Sequence, residues 1–322
     1  MENKQSLSSP AGERENIMGT MDINPLLIKL SVPMMVSMLV QALYNVVDSI
    51  FVSHVSENAL TAVSLAFSLQ NVMIAVGVGT GVGVNALLSK SLGEKNQERA
   101  NQTAENGIFL SLCSYAVFLV IGLTCMKPYF YAQTSDMDIA RQGIQYLQLC
   151  CVLSLGLFTQ TMGEKLLAAT GRTNLSMTSQ LIGAVVNIVL DPILIFGWLG
   201  CPALGVAGAA YATVIGQFVS CGLDALFFYR HARTELDTGL RFLRPRLRVI
   251  REIYQVGIPA ILMQALMSFM TYGVNIILRD VSAAAVTAYG MYYKIQQFVC
   301  FAAFGMNNAM IPVIGFNYGM GS

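Results

Sequence analysis

The chain has 322 residues, of which 55% are hydrophobic and only 11% are charged, and its mean hydropathy is +0.58. This composition excludes an ordinary soluble protein and indicates an integral membrane protein. The formal net charge of +1 gives no general attraction for nucleic acid or for an acidic partner. The seven cysteines lack the spacing of zinc ligands, and we interpret them as small buried hydrophobes.

Eight apolar segments are long enough to cross a bilayer core of about 30 Å. Lipid offers no hydrogen bonds to the backbone, so these segments must be helices. They are predicted at about 26–52, 59–85, 106–126, 141–161, 174–199, 205–229, 253–277 and 283–309. Residues 1–24 are mostly polar and lack the features of a secretory signal, which predicts a cytoplasmic tail.

The basic residues indicate how the spans are oriented, because Lys and Arg are disfavoured in short exported loops. With the N-terminus inside, fifteen basic residues fall in inside segments and three in outside loops: Lys127, Arg141 and Arg279. This predicts a multi-pass protein of the cell membrane with a cytoplasmic N-terminus. The basic run at 241–251 is interpreted as a link held at an anionic leaflet.

The second half of the chain repeats the first at an offset of 226 residues. This register pairs Pro33 with Pro259 and Gly79 with Gly305, and it also pairs Gly93 with Gly319 and Gln70 with Gln296. Six spans separate the copies, so both enter the membrane from the same side, as in transporters built from two parallel bundles. The predicted fold is an all-α polytopic membrane bundle. It has a six-helix lobe at 25–230, a basic linker at 231–250, and two helices of a second, parallel-repeat lobe at 251–322. A complete duplication would need about four more helices, so we expect a partial chain.

Ionisable side chains inside a membrane are functional candidates because burying them is costly. Counting from the span ends places Asp48 and Asp191 at similar depth, in the outer halves of the first and fifth helices. Asn187 precedes Asp191 by one helical turn, Asn45 lies close to Asp48 on its helix, and Thr213 reaches the same level. These five side chains are predicted to form one polar pocket. The oxygens of this pocket suit either a proton or sodium. No other metal ion is predicted, and sodium would bind at Asp191.

Four sequence segments resemble the multidrug and toxic compound extrusion (MATE) family: NIVLDPILIFG at 187–197, GVAGAAYAT at 205–213, LLSKSLG at 87–93 and GFNYG at 315–319. The resemblance implies a secondary antiporter that exports cationic or amphipathic drugs in exchange for protons or sodium. It implies no enzymatic activity, no cofactor and small-molecule substrates, and we expect a monomer. The resemblance also implies that the cation site of the first lobe is formed by Asp48, Asn187, Asp191 and Thr213.

Two other functions stay open at this stage: a flippase for lipid-linked oligosaccharide, and an inactive transporter fragment. Lys294 either pairs with an aspartate or reaches an interface without further role. Glu105, Glu164 and Asp224 fall near inner helix ends, which predicts solvated or capping roles. The glycine run at 77–83 lies inside a span and lacks the Lys-Ser/Thr of a nucleotide loop, which favours close helix packing. Further candidates for contact with substrate are Asn45, Gln70, Tyr211 and Gln296.

Overall fold

The computed structural model describes residues 16–232 and 244–321. Within these ranges the chain forms α-helices and no strand, which confirms the predicted all-α membrane bundle. The helices are α1 (Ile17–Thr20), α2 (Ile23–Ser53), α3 (Glu57–Gly93), α4 (Gln97–Thr124), α5 (Met126–Gln133), α6 (Met137–Val152), α7 (Leu155–Ala169), α8 (Thr173–Phe196), α9 (Val206–Phe227), α10 (Leu247–Val281) and α11 (Ala283–Met320).

Seven helices in the described part of the chain are long and apolar enough to span a membrane. The pair formed by α6 and α7 makes an eighth span, bent by 48° at the break between them. At the break, Ser154 turns its hydroxyl back to the carbonyl oxygen of Cys151, at 2.7 Å. The predicted number of spans therefore matches, with the fourth one broken.

Several predicted span ends are wrong, because the helices continue beyond their apolar stretches. α3 runs to Gly93 instead of about 85, and α11 runs to Met320 instead of about 309. α4 begins at Gln97 instead of about 106, and Asn96 caps its polar first turn by accepting a hydrogen bond from the N–H of Arg99. Polar turns with caps of this kind extend a helix past the apolar stretch and so hide its true end in the sequence.

Backbone contacts through glycine hold the second span, α3, against the last two. Gly83 of α3 lies so close to the carbonyl group of Ile253 on α10 that a Cβ would collide with it. Gly93, at the end of α3, lies in the same way against the carbonyl group of Phe316 on α11. The glycine run predicted to serve helix packing does so here, since small residues let membrane helices approach closely.

The segment just before the first span is packed instead of free. Met18 of α1 is 1% exposed and lies in a cluster with Phe316 of α11. The side-chain amide of Asn317 donates to the carbonyl oxygen of Met18 at 3.1 Å. The sequence predicts a polar tail for residues 1–24. In the structure, residues 16–21 of this segment instead cover one end of α11. Residues 1–15 and the linker residues 233–243 lie outside the described residues.

One end of the bundle, which we call the basic end, holds most of the positive side chains that flank the spans. It is the end at which α3, α7 and α9 finish and at which α4, α8 and α10 begin. Arg99 pairs there with Glu94 and with Glu252 of α10, and Arg248 also pairs with Glu252. The basic end thus joins α10 to the first hairpins by ion pairs as well as by packing.

Candidate functional site

The two aspartates predicted to form a site lie beside each other. α2 and α8 run parallel and pack together, and Asp48 and Asp191 each lie five residues before the last residue of their helix. Their carboxyl groups are close enough to interact with each other. The pair therefore lies in the half of the bundle opposite the basic end.

Asp191 is the more deeply enclosed member of the pair, with 1% of its surface exposed. Among the described residues, no N–H or O–H group donates a hydrogen bond to either of its carboxyl oxygens. Oδ1 of Asp48 also lacks a donor there. Two carboxyl groups in contact repel when both are ionised, so this arrangement is stable with a shared proton or a bound cation. The pair is chemically suited to take up and release one positive charge.

Asn187 lies one helical turn from Asp191 and is also buried. Its side-chain oxygen Oδ1 has no hydrogen-bond donor among the described residues, and its Cβ lies close to Gly216 of α9. Because Gly216 has no side chain, α9 comes near enough to bury the amide. Asn187 therefore adds a third unsatisfied oxygen on the same helix face.

Thr213 lies on α9 at the level of the pair, since Gly208 faces Leu194 and Gly216 faces Asn187 on the antiparallel α8. Its hydroxyl donates to the carbonyl oxygen of Ala209 in its own helix, at 3.0 Å. The hydroxyl proton is thus engaged, while the oxygen keeps lone pairs for a cation.

The end of α8 near the site is fixed by two residues of special backbone geometry. Pro192 follows Asp191 inside the helix and has no N–H to donate to the carbonyl oxygen of Ile188. The helix continues to Phe196, and Gly197 then ends it with a φ of 78°. This left-handed conformation suits glycine and returns the chain into the Trp198–Gly200 turn.

Comparison with known proteins identifies the family. The MatE family model matches residues 33–193 and 259–322. The chain belongs to the MATE family. The two matched segments begin 226 residues apart, at Pro33 and Pro259.

Curated relatives and solved structures of MATE proteins are similar over most of this chain. It is 26% identical over 289 residues to the multidrug export protein MepA of Staphylococcus haemolyticus, covering 89% of this chain and 63% of the relative. MepA of Staphylococcus aureus strain MRSA252 is 24% identical over the same coverage. The chain thus spans 63% of the length of these curated relatives.

Two solved structures illustrate the shared fold. A MATE protein in complex with MaD3S has a TM-score of 0.89 at 27% identity, with 96% of this chain and 69% of that chain covered. The outward-facing conformation of a multidrug resistance MATE transporter has a TM-score of 0.87 at 27% identity, with 96% and 68% covered. MATE proteins are transporters and not enzymes, and they use no cofactor. This agrees with the function that the sequence resemblance implies. The chain is accordingly a multi-pass membrane protein.

A further polar side chain near the pair in this MATE chain, Tyr146, was not predicted from the sequence. Tyr146 of α6 lies within electrostatic reach of both aspartates and accepts a hydrogen bond from Gln70, at 3.3 Å. Gln70 also lies 3.6 Å from the sulfur of Cys150. The predicted contact residue Gln70 thus lies beside the site. The spacing of Gln142, Tyr146 and Cys150, one turn apart on α6, is the sequence signal that marks this face.

The remaining predicted contacts are more peripheral. Asn45 and Gln296 are exposed, and Tyr211 is 37% exposed. The backbone carbonyl of Asn45 accepts a hydrogen bond from Ser49, and no hydrogen bond joins its side chain to Asp48 in the described structure. The side chain of Lys294 lies outside the described residues, so its pairing with an aspartate stays a prediction.

The predicted solvated or capping roles are wrong for two acids near the basic end. Asp224 and Glu105 are 2% and 7% exposed, and the hydroxyl of Ser179 donates to Asp224. The reason is tertiary packing. Gly183 of α8 and Gly216 of α9 bring their helices into backbone contact near Asp224, and Glu105 is buried within α4, which packs against α3 and α7.

Proposed function

We propose that this protein is a secondary antiporter that exports cationic or amphipathic small molecules across the cell membrane in exchange for protons. The single observation that carries the proposal is that Asp48 and Asp191 lie beside each other on the packed helices α2 and α8 with buried carboxyl oxygens that lack donors among the described residues. A site that must lose a proton before it accepts a cationic compound couples the two movements by competition. Drug export by MepA, a relative of this chain, supports the choice of substrate class.

The proposed cycle uses the pair as the loading point. Uptake of one proton lowers the negative charge of the pair by one and releases a cationic compound, while loss of the proton restores that charge and attracts the next one. Asn187 and Thr213 supply neutral oxygens that stabilise the occupied site. The two groups of helices rock against each other about the cavity between them, so that the pair faces each side of the membrane in turn.

The charge distribution supports the orientation of this cycle. The basic end faces the cytoplasm in our proposal because basic loops are retained on that side. The N-terminus is then cytoplasmic, and the Asp48–Asp191 pair lies toward the outside. A separate part of the proposal is that the protein acts as a monomer. Protons therefore reach the pair from outside over a short distance and leave at the basic end.

A transport assay tests the function and the coupling ion together. The protein as encoded by its gene is reconstituted into vesicles, and uptake of a cationic dye is driven by a pH gradient or by a sodium gradient. Asp191→Asn should lower proton-driven uptake by about tenfold or more, because a positioned proton carrier typically contributes at least that much. Asp136→Asn is the matched control, since Asp136 is exposed, and asparagine can retain its capping hydrogen bond to the N–H of Asp138.

Three outcomes would contradict this proposal in different ways. Wild-type activity in Asp191→Asn would remove the pair from the coupling site. Uptake that follows only the sodium gradient would replace the proton by sodium as the coupling ion. Absence of dye transport under either gradient, in a protein that is folded and inserted, would reject the export function.

A further inference from the structure

A second pair of carboxyl groups lies within the bundle nearer the basic end, away from Asp48 and Asp191. Asp224 of α9 is 2% exposed, and its Oδ1 accepts a hydrogen bond of 2.5 Å from the hydroxyl of Ser179 on α8. Its other oxygen, Oδ2, is buried and has no donor among the described residues. A buried carboxyl group with one oxygen satisfied and one left open is costly unless something binds the open oxygen.

The open oxygen of Asp224 is directed toward α7, next to Glu164. Gly163 has no side chain, and a Cβ placed there would lie 3.2 Å from Oδ2 of Asp224. The following residue, Glu164, is within electrostatic reach of Asp224, and its Oε1 accepts a hydrogen bond from Gln160 at 3.0 Å. The absence of a side chain at Gly163 therefore lets Asp224 approach α7 within one residue of Glu164.

Polar side chains connect this inner pair to the outer one. Tyr44 of α2 is one turn from Asp48, and its hydroxyl group is close enough to interact electrostatically with both Asp48 and Glu164. Gln41, which precedes Tyr44 by about one turn, accepts a hydrogen bond from Gln180 at 3.5 Å. Gln180 is next to Ser179, the hydrogen-bond donor to Asp224. Polar side chains thus lie at several levels of α2 and α8 between the two pairs.

The other charged groups near the inner pair do not neutralise it by direct contact. Lys165 follows Glu164 in the chain, but the stem of its side chain lies against Gly81, and it forms no ion pair among the described residues. Other titratable groups on the elements packed around α7 and α9 at this end are Glu105 of α4, Lys90 of α3, Arg172 just before α8, and Arg230 and His231 of the turn after α9. Lys165 lowers the cost of one negative charge in the region, and the second acid still needs a proton or a cation.

We propose that Glu164 and Asp224 form a second station for the coupling proton, which passes it between the Asp48–Asp191 pair and the basic end. This inference rests on the proposed proton antiport. The two stations are separated by about 18 Å, the rise of the twelve residues from Ser179 to Asp191. Tyr44 is only partly buried, and the relay requires its open side to face the wet cavity between the helix groups.

The transfer conserves protons at each step. An O–H bond breaks on the outer carboxyl group as one forms on water or on the hydroxyl of Tyr44, which gives up its own proton to the next acceptor. Glu164 then accepts the proton and shares it with the open oxygen of Asp224, and release at the basic end returns the inner pair to its starting charge. No redox partner or further reactant is required.

The variants Glu164→Gln and Asp224→Asn test this station in the reconstituted native protein. Each keeps the size of the side chain, and asparagine at 224 still accepts the hydrogen bond from Ser179. Glu105→Gln is the control, because Glu105 is another largely buried acid on the basic half of the bundle. Two rates are compared: dye uptake driven by a pH gradient, and exchange of labelled for unlabelled dye without a gradient. Exchange requires drug binding and rocking but no net proton movement.

Proton-driven uptake should fall by about tenfold or more in both variants, because positioned proton carriers typically contribute at least that much to a transfer rate. Drug exchange and the Glu105→Gln control should stay at the wild-type level. Glu164→Asp, which restores a carboxyl group, should recover part of the driven uptake. In the infrared spectrum of the protein, Glu164→Gln should also remove a carboxyl band that responds to the pH of the bath.

Wild-type driven uptake in both variants would overturn the second station, and the export function would stand if Asp191→Asn alone lost coupling. Equal loss of exchange and driven uptake in folded variants would also overturn it, because the acids would then serve binding or packing. If Asp224→Asn fails to insert, Glu164→Gln decides, since Glu164 is only partly buried. Sodium-driven uptake that needs Glu164 would replace the proton by sodium and reject the relay.

Discussion

Gly79 and Gly305 make equivalent contacts in the two halves of the chain. A Cβ on Gly79 of α3 would meet Ile261 of α10, and a Cβ on Gly305 of α11 would meet Met35 of α2. Gly305 follows Gly79 by 226 residues, and Ile261 follows Met35 by the same number. The contact of Gly93 with Phe316 and that of Gly319 with Lys90 are related by this offset as well. The helix crossings are thus built twice from one pattern of small residues.

The two equivalent glycines should differ in their tolerance of alanine. A Cβ on Gly305 would lie 2.7 Å from the backbone nitrogen and Cα of Met35, which cannot move independently of α2. At Gly79 the closest atom is Cγ1 of Ile261, and the nearest backbone atoms of α10 lie farther away than at Gly305, at 3.0 and 3.1 Å. We therefore expect Gly305→Ala to destabilise the protein by about 1–3 kcal/mol, and Gly79→Ala by less, as measured by thermal unfolding in detergent. Gly273→Ala is the control, since a Cβ there meets nothing within 4 Å. An equal loss in all three variants would refute this explanation.

Gly83 should tolerate no branched side chain. The nearest atom to a Cβ at this position is the backbone carbonyl oxygen of Ile253, so valine would force α3 and α10 apart. We expect Gly83→Val to lower the yield of folded protein and its thermal midpoint by several degrees or more, as about 1–3 kcal/mol of overpacking would produce. The matched change Gly222→Val places the same residue on a helix where a Cβ meets nothing within 4 Å. A folded Gly83→Val protein with the wild-type midpoint would show that the helices separate without cost.

The ion pair between Arg99 and Glu252 should contribute measurably at the basic end. Both side chains are only about one quarter exposed, at 28% and 25%, and the pair links α4 to α10. A double-mutant cycle with Arg99→Ala and Glu252→Ala should give a coupling energy of about 1 kcal/mol, which decreases as salt is raised.

The pair Lys90–Glu94 offers a comparison for that cycle. Its charged atoms are 4.0 Å apart, and both side chains belong to consecutive turns at the end of α3. A cycle on this pair should give only a few tenths of a kcal/mol, as is usual for exposed pairs one turn apart. The interpretation of Arg99 and Glu252 as a link between helices fails if both cycles give the same value.

The sequence predicts the depth of charged groups in the membrane better than it predicts which of these groups face each other. Counting residues from the span ends places Asp48 and Asp191 at one depth, because helix rise is fixed at about 1.5 Å per residue. Their contact depends on the packing of α2 against α8, which are separated by five intervening helices in the chain. Tyr146 was missed for the same reason, since its helix enters the site from a different direction.

Burial near helix ends was the property least accessible from the sequence. Asp224 lies three residues before the end of α9, where an acid is usually solvated. It is enclosed because Ser179 of α8 and Gly163 of α7 both approach it. Such burial depends on three helices meeting at small residues, and periodicity within any one of them does not reveal it. The broken fourth span likewise follows from the local turn at Ser154, in a segment whose composition is continuous.

The depth of the Asp48–Asp191 pair also determines where membrane voltage acts on transport. The pair lies about 7.5 Å along the axis from one end of α2, whose 31 residues extend for about 46 Å. A charge that reaches the pair from the near end crosses little of the electric field, whereas one that continues to the basic end crosses most of it. A full crossing corresponds to about 2.3 kcal/mol per 100 mV for each charge. Membrane potential should therefore accelerate the inner part of the ion's path and leave the loading of the aspartates nearly unaffected.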